Sequence, residues 1–180
     1  MQPTNVSQKR AFLTLNEAIA AEAGKSQIID KTGGYDFTIA EAIFVTADNG
    51  TMGIQLSGED AAGLKGNYIT IYYQKKDGTI LKGGQALIQA IMYIEGIKET
   101  TFIEATADDG AKYWKVPELE GVKTGLVLER QAYTKRNSTD KAWSLNVRQV
   151  YQPSSGATVA EIQEGRQAEA VAKLIEQLQK

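Results

Sequence analysis

Five stretches of this 180-residue chain alternate apolar and polar side chains with a period of two. That is the strand repeat, because successive Cβ atoms point to opposite faces of a pleated backbone. The first runs Tyr35–Thr46, with Tyr35, Phe37, Ile39, Ile43 and Val45 on one face. Glu41 interrupts that face, which predicts a bulge or a barrel bend. Asp48-Asn49-Gly50 signals a tight turn, after which Met52, Ile54 and Leu56 alternate with Gly53, Gln55 and Ser57. A looser turn through Gly58 to Gly66 leads to Asn67–Gln74, where Ile69, Ile71 and Tyr73 oppose Tyr68, Thr70 and Tyr72. Asp77-Gly78 marks another hairpin. The last two strands are Val122–Tyr133 and Ala142–Gln152, joined by the polar loop Thr134–Lys141.

Between the third and fourth strands, Gln85–Glu95 carries Leu87, Ile88, Ile91, Met92 and Ile94 on one wide face, with Gly96 as its stop. Residues 16–23 read as a short N-terminal helix ended by Gly24, and the stretch from Gly96 to Gly110 as an acidic loop. Pro153–Gly156 is linker-like, and Thr158 with Glu161 forms a capping-box pattern opening a terminal helix. Three strands, a helix and two strands predict an all-β core with appended helices: a five-stranded OB-type Greek-key barrel (β-β-β-α-β-β). An α+β sandwich or a differently closed barrel has the same periodicity, which specifies elements and not their pairing. The expected organisation is an arm and helix over 1–30, the barrel over 31–152, and a linker with a C-terminal helix over 153–180.

Composition narrows the chemistry. An apolar content of 42% sustains a core. No apolar run approaches the roughly 20 residues that cross a bilayer. The N-terminus shows no basic-then-apolar leader, so the expected location is cytoplasmic. There is no cysteine and no histidine, which removes thiol nucleophiles, disulfides, triads and zinc hydrolases. Carboxylate chemistry remains open, and its densest group is Asp108-Asp109 flanked by Glu99 and Glu104. Beside Gly110 that group reads as a solvated loop, and the expectation is a non-enzyme without metal or cofactor.

A net charge of −2 does not announce a polyanion binder, but its distribution is uneven. Residues 65–98 carry a balance of +3 and residues 112–148 a balance of +4, while 1–64 and 99–111 carry −4 each. A local basic groove attracts phosphate whatever the total charge. On the third strand, Tyr68 and Tyr72 face outward and offer two rings for bases to stack on, or half-buried barrel packing. Lys75, Lys76 and Lys82 surround the Asp77-Gly78 turn and could grip phosphate or solvate a hairpin. Around the fourth loop, Lys135, Arg136 and Lys141 interleave with Tyr133 and Trp143, a pattern suited to tracking a backbone while stacking its bases, or else Trp143 is core and the loop merely polar.

Gly34-Tyr35-Asp36-Phe37-Thr38-Ile39, Gly63–Tyr73 with Asp77-Gly78, Lys82-Gly83-Gly84 and Val116–Gly121 carry a resemblance across residues 12–165. In these stretches the chain resembles small phage-encoded single-stranded DNA-binding proteins. The resemblance implies single-stranded DNA as partner, in replication or recombination inside the host cytoplasm, with other phage replication or recombination proteins and a homo-oligomer as further partners. The family's bacterial counterparts end in an acidic tip with a terminal phenylalanine, whereas this chain ends Ile175-Glu176-Gln177-Leu178-Gln179-Lys180. The rival readings are a protein-interaction module using a terminal-helix stripe of Ala168, Val171, Ile175 and Leu178, and a magnesium nuclease.

Overall fold

In the computed structural model, which describes residues 11–180, every period-two stretch is a strand. β1 (Gly33–Thr46), β2 (Met52–Asp60) and β3 (Lys65–Gln74) form an antiparallel meander. Its first turn closes at Gly50, whose φ of +85° is a left-handed conformation that glycine adopts without a Cβ clash. α2 (Lys82–Glu95), with Gly96 as its left-handed cap, follows a one-turn α1 (Glu17–Ala20) far upstream. Then come β4 (Ile103–Thr106), β5 (Lys112–Lys115), β6 (Lys123–Thr134) and β7 (Lys141–Tyr151). The chain is thus mostly β, a seven-stranded antiparallel sheet with a few helices.

The expected five strands are therefore seven. β4 and β5 pair with each other inside the stretch read as an acidic loop. Each has four residues, too few for periodicity to register, and Asp108-Asp109-Gly110 is their hairpin turn. There the Asp109 carboxylate accepts the Ala111 N–H at 2.9 Å, and Gly110 sits at φ +85°. The strands gain stability from tertiary pairing: β5 docks on β1 at Ile43 and Phe44.

β1 takes two neighbours along one edge. Gly33–Thr38 pairs with β6, and the far half with β5. A register shift between Ile39 and Glu41 bends the strand between them. Backbone pairing continues through the bend, the Ile39 N–H donating to Val122 O and the Val116 N–H to Ala42 O, while Pro117–Leu119 forms a single 3-10 turn outside it. The bulge also shifts the phase. Phe37 and Ile39 are buried, but beyond the bulge it is Ala42 that is buried, and Ile43 and Val45 are only half-buried. The expectation that all the odd-numbered apolar residues share one face fails there, because an extra residue swaps the faces.

The core gathers Phe37, Ile39, Leu56, Ile69, Leu126 and Leu128, covered by Ile88, Ile91 and Met92 of α2. α2 lies against β3, β6 and β7. It approaches so closely that a Cβ on Gly84 would stand 1.7 Å from the Tyr72 carbonyl oxygen. At the other end, Ile29 enters the core as its N–H donates to Lys65 O at 2.9 Å. α1 stops after one turn, short of the expected residues 16–23. Its Phe12, Leu13, Leu15 and Ile19 surroundings stay exposed, and an unpacked short helix has little to extend it.

Pro153–Gly156 is an ordered turn closed by Gly156 N–H to Gln152 O at 2.7 Å. The single terminal helix expected after it is two: α3 (Val159–Glu164) and α4 (Ala170–Leu178), separated by left-handed Gly165. Glu161, 1% exposed, joins them. One carboxylate oxygen accepts the Thr158 N–H at 2.9 Å in the capping box. The other accepts Glu169 N–H at 2.9 Å and Ala170 N–H at 2.8 Å, at the start of α4. α4 then rests on β1 and β6, with Val171, Ile175 and Leu178 half-buried and Ala168 exposed. Among the described residues no helix is long and apolar enough to cross a membrane.

Two outcomes follow from this packing. Gly84→Ala forces α2 away from β3 and lowers stability by about 1–3 kcal/mol, read from a denaturant melt. Backbone N–H groups of Glu169, Thr158 and Ala170 hold the Glu161 carboxyl at about 2, against an ordinary 4.5. A lowered folded-state value means that its contribution is whole above pH 4.5 and lost as pH falls toward 2. The gap in melting temperature between parent and Glu161→Gln should hold at neutral pH and narrow through that window. A gap unchanged at pH 3 would contradict this role.

Candidate functional site

The sheet does not close by hydrogen bonds. Following its pairings from β3 through β2, β1 and β6 to β7 leaves β3 and β7 with no ladder between them, the outer edge of β3 being taken at its two ends by the arm at Lys65 and by Ile80 at Gln74. β3 and β7 nevertheless lie close together. Lys65–Tyr68 and Trp143–Leu145 line one hollow, and Thr70–Tyr72 and Asn146–Arg148 line the next, so the two edges run in the same chain direction. Each hollow has a volume of about 390 Å³. This open seam is the candidate site.

The first hollow brings together Tyr68, Tyr133 and Trp143. Three elements supply them: β3, the end of β6 and the start of β7. Tyr68 is 77% exposed and Tyr133 50%, while Trp143 is half-buried with the Arg130 guanidinium 4.9 Å from its ring centroid. Tyr68 and Tyr133, held in water in this way, lose little packing by taking up a stacking partner, whereas Trp143 packs partly against the core. Tyr72, 42% exposed, belongs to the second hollow, beside Gly83, Gly84 and Arg148. On the neighbouring β2, a Cβ on Gly53 would stand 3.0 Å from both Thr70 and the Tyr72 ring, so the surface beside that ring is flat.

Tyr68 is also strained. Two steps along β2, Leu56 to Gly58, face three along β3, Ile69 to Gly66. The extra residue leaves Asn67 and Tyr68 both outside, and Tyr68 at φ +59°. Left-handed backbone at a bulky residue costs about 1–3 kcal/mol and persists where its surroundings over-determine it. Here Ser57 Oγ accepts the Tyr68 N–H at 3.2 Å.

The basic residues divide by their partners. Among the described residues, Lys25, Lys112, Lys115, Arg148, Arg166, Lys173 and Lys180 are in ion pairs with glutamates. Lys65, Lys75, Lys76, Lys82, Arg130, Lys135, Arg136 and Lys141 are in none. Lys135 and Arg136 occupy the tip of the β6–β7 hairpin, where Asn137 at φ +58° makes the turn and Lys141 begins β7. Lys82 opens α2 next to the second hollow. Lys75 and Lys76 lie at the opposite turn, and the Lys76 stem packs against Gly50, within 2.8 Å of where its Cβ would be. Of the ten residues singled out from sequence, Tyr68, Tyr72, Tyr133 and Trp143 line the two hollows, and the six cations line neither.

Sequence reading did not assign Lys65, Asn67, Ser144, Asn146 or Arg148 to the site, although all line the two hollows. In the sequence Ser144, Asn146 and Arg148 alternate with Trp143, Leu145 and Val147, but nothing in that pattern shows that β7 lies next to β3. The rival surfaces fare differently. Asp109 is engaged in its own turn and Glu104 pairs with Lys112, and no group of three or more carboxylates that could hold a metal is gathered among the described residues. The α4 stripe is turned onto its own sheet. Comparison with known protein families and with curated proteins gives no match.

Tyr68→Gly separates strain from packing. Glycine accepts φ +59° freely and little buried surface is lost, so the variant should melt at or above the parent temperature. A clear fall would show that the Tyr68 ring holds the fold together.

Proposed function

We propose that the protein binds single-stranded nucleic acid along the β3–β7 seam, as single-stranded DNA of a phage replication or recombination system. The observation that carries this reading is the convergence of Tyr68, Tyr72, Tyr133 and Trp143 on one seam, with cations free of ion pairs at its ends. Base–aromatic stacking contributes about 1–3 kcal/mol per base and accepts any base, since each has a π face. Tyr68 and Tyr72 are four residues apart, about 13 Å along a strand, which is room for separate bases. Lys135, Arg136, Lys141 and Lys82 then neutralise phosphates before and after the stacked bases. Duplex DNA keeps its bases inside and offers nothing to stack. The protein acts by binding and not by catalysis, in the host cytoplasm.

The fold reading that goes with it is an OB-type barrel. A three-stranded meander, a helix across the barrel end and a β6–β7 hairpin returning β7 parallel to β3 agree with that topology, with the β4–β5 hairpin as an insertion. Binding on the second and third strands and the fourth loop is the habit of that fold. The resemblance to phage-encoded single-stranded DNA-binding proteins supports the same assignment.

Fluorescence anisotropy with a labelled oligo(dT) over a salt series tests this. Affinity should fall steeply with salt and exceed that for a duplex of equal length. Lys135→Ala with Arg136→Ala should reduce the log–log salt slope by about 1.4, the share of two phosphate contacts on a single strand. Tyr72→Ala should weaken binding by about 1–3 kcal/mol at every salt concentration, because stacking is not screened. Equal affinity for duplex, or no binding at low salt, overturns the proposal.

A further inference from the structure

The two hollows are not alike. The second is an open trough under Tyr72 and α2, whereas the first has walls on three sides. One wall is the arm, where Ile28 bridges to Lys65 in parallel; the others are the bulged start of β3 and the start of β7. Ile29 and Leu145, both buried, lie at its inner side. Its volume of about 390 Å³ is near the lower end of small-molecule pockets, which run from about 300 to 1,000 Å³. Polar groups line it as well as rings. The Asn67 amide and the Ser144 hydroxyl are in no hydrogen bond among the described residues, and Lys65 is in no ion pair. The β3 bulge puts Asn67 on the outside together with Tyr68.

We infer that this hollow takes a single unstacked nucleobase edge-on, and that it selects guanine and thymine, which carry a carbonyl (O6 or O4) where adenine and cytosine carry an amino group. This deepens the proposed function and rests on it. Tyr68, Tyr133 and Trp143 supply the aromatic contact. Lys65 can only donate, so it matches the O6 of guanine or the O4 of thymine. Adenine and cytosine present an amino group at the corresponding position, and a donor facing a donor leaves both unsatisfied. Asn67 and Ser144 each donate or accept, and complete the edge. The protein accordingly reads one position of a strand that it otherwise binds without regard to sequence.

The test uses oligo(dC) 12-mers with one central dC replaced by dG, dT or dA, and the full chain carrying Trp114→Phe so that Trp143 alone reports. Anisotropy gives affinity and Trp143 emission reports occupancy of the hollow. A single dG or dT should tighten binding about fivefold over dC or dA, the worth of one hydrogen bond in a wet site, and should quench Trp143 further. Lys65→Met should erase that preference, since only Lys65 tells a carbonyl from an amino group. A ranking of dG with dA overturns the inference, because it follows ring size and not the base edge. Equal binding of all four also overturns it and leaves the proposed function standing. Failure of every oligonucleotide to bind removes both.

Discussion

The sheet depends on one strand having two neighbours on the same edge. β1 pairs with β6 along Gly33–Thr38 and with β5 at Ile43 and Phe44, and the bulge between Ile39 and Glu41 lets it do so without abandoning its own hydrogen bonds. A flat strand would keep β6 and β2 in one plane, with β7 far from β3. The bend curls the sheet until β3 and β7 lie side by side, and α2 spans the end of the curl. Gly84 sets how tightly it does so, since any side chain there would meet the Tyr72 carbonyl. The seam is thus a consequence of a bend on the far side of the molecule.

Why the edges stop short of a ladder is visible at Asn67–Tyr68. The extra residue in β3 displaces its backbone where β7 begins, and Tyr68 at φ +59° cannot present a regular strand edge. No ladder joins β3 to β7 there, and the exposed rings of Tyr68 and Tyr72 stand on that side of β3. An open edge invites a partner chain. In the proposed reading, a nucleic acid strand occupies that position.

Much of this was legible in the residues. Long strands with clean alternation, Asn67–Gln74 and Ala142–Gln152 above all, formed where period two placed them, and the Asp48-Asn49-Gly50 turn and the Thr158–Glu161 capping box formed as their side chains require. What escaped had a physical reason in each case. β4 and β5 are too short to show a period and exist through pairing with each other and with β1. The face swap after Glu41 follows from a bulge whose effect on phase depends on geometry. The terminal helix divides at Gly165, where glycine reads equally as a tolerated interior residue and as a cap. At the site, outward Tyr68 and Tyr72 followed from alternation, whereas Lys65, Asn67 and Ser144 join them only because distant strands meet. Pairing of edges is a long-range fact, and no local pattern carries it.

The central claim is that the β3–β7 seam, and not another surface, receives the strand. Backbone amide shifts of labelled protein titrated with a short oligo(dT) test it directly. The cluster of half-buried Phe44 with exposed Phe102 and Trp114, the Phe44 and Phe102 centroids 5.4 Å apart, serves as the internal comparison. The account predicts perturbations confined to residues 65–72, 130–136 and 141–148 and the first turn of α2, with the β4–β5 hairpin silent. Shifts centred on Phe102 and Trp114, or no shifts at saturating oligonucleotide, would contradict it.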